Sequence, residues 1–204
     1  MANIQDILDF WFEGITDATP IKKNTHPFKK WFAKNDKFDQ EIREKFKEDL
    51  IKARQGDYKN WELSVDGRLA LIVLFDQFSR NMYRDTPQMY ETDTLALELA
   101  SRSIKENIDK KSALIERVFI YMPLEHAEDL KMQELSLRCF DGLVHEAKQK
   151  NPRNAAYYQS HFDYARRHYD IIAHFGRFPH RNAILNRTPT PKEADFLKNT
   201  RSSF

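Results

Sequence analysis

Apolar residues recur at helical spacing from the first turn of the chain. Ile4, Ile7, Leu8 and Trp11 fall at i, i+3, i+4 and i+7, the stripe of an amphipathic helix. Gly14 to Pro27 mixes Thr, Pro, Asn and Gly and reads as a loop. Phe38, Ile42, Phe46, Leu50 and Ala53 mark a second helix ending near Gly56, and Trp61 leads into a third from about Val65 to Tyr83. Thr86-Pro87 reads as an N-cap with proline at the first helical position, opening a helix through Leu95, Leu99 and Ile104 to about Asn107. A short helix near Ala113 to Tyr121 is expected to stop at Pro123, and another runs from about Glu125 to Ala147. A long helix from about Ala155 to Phe175 ends with Gly176 as left-handed cap and Pro179 as stop. Thr190-Pro191-Lys192-Glu193 is a capping box that starts a last helix through Leu197. No stretch alternates long enough to require a strand, and no 34-residue self-similarity is legible. The pattern predicts an all-α fold in a single domain over residues 1–204.

Composition narrows the setting. In 204 residues, 41% are hydrophobic and 31% charged, which excludes a disordered tail. Lys and Arg number 33 against 31 Asp and Glu, a net +2, too balanced to make nucleic acid or anionic lipid an expected partner. The single cysteine, Cys139, excludes an internal disulfide framework and, lying between Leu135 and Leu143, reads as a small buried hydrophobe. The longest apolar runs, Leu69 to Phe75 and Val118 to Leu124, are too short to span a bilayer. Asp6, Asp9 and Glu13 replace the basic start of a secretory leader, so the cytoplasm is the expected compartment. Oligomeric state stays open.

Three clusters carry the candidate chemistry. Leu69 to Phe75 is apolar around the whole helix, yet Asp76, Gln77, Arg80, Asn81 and Arg84 follow within about 140° of arc at 100° per residue. Asp76 and Arg80 are i, i+4 partners. Pro123-Leu124-Glu125-His126-Ala127-Glu128-Asp129 concentrates titratable groups at an expected helix start, with Glu125, His126, Asp129 and Gln133 on one face. That spacing is neither Glu-x-x-His nor His-Glu-x-x-His, so no metal site is assigned. The third cluster, His174 to Asn182, brings Arg177, His180, Arg181 and Asn182 to a turn fixed by Gly176 and Pro179. Arginine forks there suit a carboxylate or a phosphate. His161 and His168, seven apart, read as core or surface histidines. Trp11, Phe12, Trp31, Phe32 and Trp61 read as packing anchors.

Five segments then resemble a known family: Asp6 to Phe12, Leu74 to Asn81, Tyr121 to His126, His174 to Asn182 and Ser202 to Phe204. The sequence is similar across nearly its whole length to the bacterial domain-of-unknown-function family 924. The resemblance implies an irregular, tetratricopeptide-like array of antiparallel helices and no established activity. It also implies proline where Ser79 stands, serine where Ala127 stands and glycine where Asn186 stands, so a hydroxyl nucleophile at 127 is not required here.

Binding ranks first among the expectations: a groove lined by Asp76, Gln77, Arg80, Asn81, Glu125, His126, Arg177, His180, Arg181 and Asn182, holding a small anion or an acidic peptide. A buried ionic lock between helices ranks second. An acid/base hydrolase or lyase ranks third, with His126 or His180 moving the proton, Asp76 or Glu125 orienting it and Arg177 or Arg181 stabilising negative charge. A divalent-metal variant of that enzyme takes Asp76, Glu125, Glu128 and a histidine. No cofactor is assigned.

Overall fold

The computed structural model describes residues 1–22 and 25–198. Among them every regular element is helical: α1 (Ile4–Phe12), α2 (His26–Phe32), α3 (Asp36–Gln55), α4 (Val65–Ile72), α5 (Ser79–Met82), α6 (Asp93–Lys105), α7 (Leu114–Glu125), α8 (Leu130–Lys150), α9 (Ala155–Phe175) and α10 (Pro191–Leu197). The Ser202–Phe204 part of the resemblance and residues 23 and 24 of the expected loop lie outside the described residues. No helix among those described is long and apolar enough to cross a membrane.

Local cap chemistry sets several boundaries as expected. Gly56 closes α3 at φ 89° and Gly176 closes α9 at φ 70°, both in the left-handed region where glycine carries no Cβ penalty. Thr190 and Glu193 form the capping box of α10. Asn186, where the resemblance implies glycine, sits at φ 52°, and asparagine tolerates that conformation.

Other boundaries move. Pro87 opens only a 3-10 turn, Pro87–Tyr90, and the helix proper starts at Asp93. Pro123 does not stop α7, which runs on to Glu125. Proline removes one ladder bond, but nearly every residue of α7 is buried, so tertiary packing holds the last turn. The next helix therefore begins at Leu130, with the Asp129 carboxylate accepting from Met132 N at 3.0 Å as its N-cap. Glu125 is a helix end, not a helix start. Helix α2 takes the last two residues of the segment expected as loop, His26 and Pro27, and continues through residues 28–32, which the pattern leaves unassigned.

The third expected helix is continuous but not uniform. Between α4 and α5, Val73–Phe78 is a π-helical stretch in which Ser79 N bonds Leu74 O, five residues back. The Phe75 carbonyl instead accepts the hydroxyls of Ser79 and Thr92, each at 2.6 Å. The core gathers α1, α3, α4, the π stretch, α7 and the facing sides of α6, α8 and α9. An aromatic cluster of Trp11, Phe12, Trp31 and Phe119 sits in it, with ring centroids 5.1–6.5 Å apart. Trp61 packs on its rim, stacked on Tyr58. Helices α8 and α9 form the most extensive helix pair, joined through Pro152–Asn154.

Candidate functional site

Two clamps fix α7 in place. At its start the Asp17 carboxylate accepts the backbone N–H groups of Leu114 and Ile115 at 3.0 and 2.9 Å. At its end the fully buried Gln133 donates from Nε2 to the carbonyls of Glu125 and Ala127, both at 2.7 Å. Gln133 and Asp129 thus hold the α7–α8 turn rather than line a site. Glu125 and His126 are presented at the fixed end of a buried helix.

The π stretch supplies what faces them. Asp76 is fully buried and its Oδ1 lies 2.7 Å from His126 Nδ1. Arg80 pairs with Asp76 at 3.0 Å and with Asp93, the first residue of α6, at 2.8 Å. Arg181 reaches Asp93 at 3.6 Å, donates to the His126 carbonyl at 2.9 Å and lies between the Tyr90 and Phe178 rings, 4.6 Å from each centroid. Burial alone would raise the Asp76 carboxyl, but Arg80 and His126 beside it hold it at about 2. Burial, assisted by the Asp76 charge, pushes Glu125 well above the usual carboxylate range. His126 is lowered by burial, against the pull of Asp76. Its Nδ1 therefore carries a proton donated to an ionised carboxylate, and Nε2 carries the ring's lone pair.

His168 completes the cluster. This buried α9 residue has Nδ1 2.9 Å from the Tyr164 carbonyl, which only accepts, so its Nε2 is likewise the basic nitrogen. The His126 and His168 rings meet edge to face at 6.1 Å. One donor atom from each of Glu125, His126 and His168 lies within 4.8 Å of the other two. Glu125 Oε2 is buried with no hydrogen-bond partner among the described residues. These three residues border a cleft of about 180 Å³ whose other walls are Phe28, Phe32, Met122, Ser160, His161 and Tyr164.

The expected groove is redistributed. Asp76, Gln77, Arg80, Glu125, His126 and Arg181 do converge; Gln77 donates to Asp76 at 2.6 Å. Asn81 turns away to Asp39 on α3, at 2.7 Å, where Arg84 also binds. The 100° wheel that put it beside Asp76 fails across a π stretch, where each residue advances the helix by a smaller angle. Arg177 is spent on Glu193 of α10 at 2.6 and 2.8 Å, outside the cleft. His180 stands beside Arg181 and Phe178, lowered to about 4 by burial and then by Arg181. Asn182 is buried, its side-chain amide without a partner among the described residues. Glu128 accepts Phe178 N and both Arg187 amines, pinning the 178–187 segment to the α7–α8 turn, so it is no ligand. Sequence reasoning missed Asp93 and Tyr90, placed inside an expected helix, and set His168 aside. Cys139 is only partly buried, its thiol pushed up to about 12 by burial.

A family model described as a bacterial protein of unknown function (DUF924) matches residues 7–201. A solved structure described as a protein of unknown function from Agrobacterium tumefaciens is 33% identical, covers 96% of each chain and superposes with a TM-score of 0.77. No curated protein matches the chain.

Proposed function

The chain belongs to the DUF924 family of bacterial proteins of unknown function, and from the chemistry of its own cleft we propose that it is an enzyme, a hydrolase or lyase of a small uncharged substrate, that activates water or a substrate hydroxyl at Glu125, His126 and His168. The observation that carries this reading is the Asp76–His126 bond of 2.7 Å, which orients a neutral imidazole with its basic nitrogen beside an open cleft. For an ester, activated water adds to the acyl carbon, the bond to the leaving oxygen breaks, and that oxygen takes the proton. Aromatic walls and a volume equal to about six waters suit a compact, partly apolar molecule.

Anion binding loses ground because, among the described residues, no arginine or lysine borders the cleft, and the Arg80 and Arg181 forks already hold carboxylates and carbonyls. The ionic lock retains support from the same Asp76–Arg80–Asp93–Arg181 chain, which serves as the frame of the cleft. The test is hydrolysis of p-nitrophenyl acetate by the full chain. Replacing His126 by Gln, with helicity checked by circular dichroism, is expected to lower kcat/KM by about 100-fold. Equal rates for wild type and variant overturn the reading.

A further inference from the structure

We propose that Glu125, His126 and His168 together bind one divalent transition-metal ion in the cleft. The inference rests on the cleft being the working site and adds the agent that activates water there.

Three observations converge. The three donor atoms lie within 4.8 Å of one another, while a tetrahedral site with bonds near 2.1 Å sets its donors about 3.4 Å apart, so about an ångström of ring and carboxylate rotation closes the triad. Both imidazoles are oriented from behind, His126 through the Asp76 carboxylate and His168 through the Tyr164 carbonyl, the outer support that metal-binding histidines use to fix the tautomer. The third observation is the buried Glu125 oxygen, which no described residue satisfies, on a residue that lines the cleft. A buried carboxylate in that position is costly unless it is protonated or meets a cation.

Charge agrees with this. Among the described residues the carboxyl groups of Asp76, Asp93 and Glu125 face two guanidinium groups, those of Arg80 and Arg181, so with all three carboxyls ionised the shell carries one negative charge in excess. Two nitrogens and one oxygen favour zinc, ferrous iron or cobalt over magnesium or calcium, which take oxygen shells. Three protein ligands on a cleft wall leave a position open for water, as in catalytic rather than structural sites. With a metal held there, His126 would serve as a ligand rather than as the base, and the ion would supply the lowering of the water's pKa that makes it a nucleophile.

The experiment titrates chelator-treated, full-length protein with Co²⁺, following visible absorption and calorimetric stoichiometry. The expected result is one ion per chain with absorption bands of a four- or five-coordinate site. Glu125→Gln and His168→Gln should each abolish that binding, and Asp76→Asn should weaken it 10- to 100-fold. His145→Gln, an exposed histidine, should leave it unchanged. If a triad variant fails to fold, X-ray absorption on the wild-type cobalt protein decides, two imidazoles and one carboxylate being required. No saturable binding, or binding indifferent to Glu125 and His168, overturns the inference. Ester hydrolysis that persists in the chelated protein and still depends on His126 would overturn the metal while leaving the enzyme reading intact.

Discussion

Gln133 is a small residue-scale device with a large positional effect. Its side-chain amide bridges the carbonyls of the α7–α8 turn, and the turn carries His126. Gln133→Leu fills the same space but leaves the buried Glu125 carbonyl and the half-buried Ala127 carbonyl without this donor, so urea unfolding should show a loss of about 1–3 kcal/mol. His168 shows where reading residues one at a time stops. A histidine on an apolar helix face carries no mark of its role until its neighbours are known. What identifies it is the distance to Glu125 and His126, set by how α9 packs against α7. Asp76, Arg80, Glu125 and His126 were legible because charged types next to apolar runs are conspicuous, and Arg181 because it falls in a basic turn fixed by Gly176 and Pro179. Arg177 was conspicuous too, yet its partner is Glu193, and nothing in the spacing distinguishes the two outcomes.

At the scale of elements, the π stretch decides which side chains meet. By shifting the ladder one residue it turns Asp76 and Gln77 inward, sends Asn81 to Asp39, and leaves the Phe75 carbonyl to the Thr92 and Ser79 hydroxyls. Thr92→Val preserves shape and removes one of those donors. The expected cost is about 1–2 kcal/mol in chemical denaturation, with a change in the absorption of bound cobalt as Asp76 shifts. A stable variant with unchanged cobalt absorption would show the stretch does not depend on that bond. Helix ends written in local chemistry, such as Gly56, Gly176 and Thr190, were readable from sequence. Pro123 and Pro87 misled because burial of a whole helix, in one case, and a 3-10 turn, in the other, outweighed the local rule. A wheel of 100° per residue contains no π helix, so that feature lay outside any periodicity argument.

Over the whole molecule, buried ion pairs tie helices together at points away from the cleft, and their pH response is separable from the site. Burial tends to raise Asp39, but the hydrogen bonds from Arg84 and Asn81 bring it below its ordinary value. A carboxyl lower in the folded than in the unfolded state adds stability above the unfolded value, and loses it as pH falls toward the folded one. Asp39→Asn should therefore destabilise the protein at pH 7, and the gap from wild type should shrink steadily below about pH 4, as thermal melts across that range will show. A gap independent of pH would assign the effect to packing. The all-helical class was readable from composition and periodicity together, whereas the meeting of α4–α5, α7 and α9 depends on long-range packing that neither encodes locally. The measurement that reaches the central claim most directly is anomalous X-ray diffraction at the zinc edge from crystals of the wild-type chain grown with zinc. The account predicts a single strong peak about 2.0–2.2 Å from His126 Nε2, His168 Nε2 and a Glu125 carboxylate oxygen. A cleft without that peak, or zinc found only on surface residues, would contradict it.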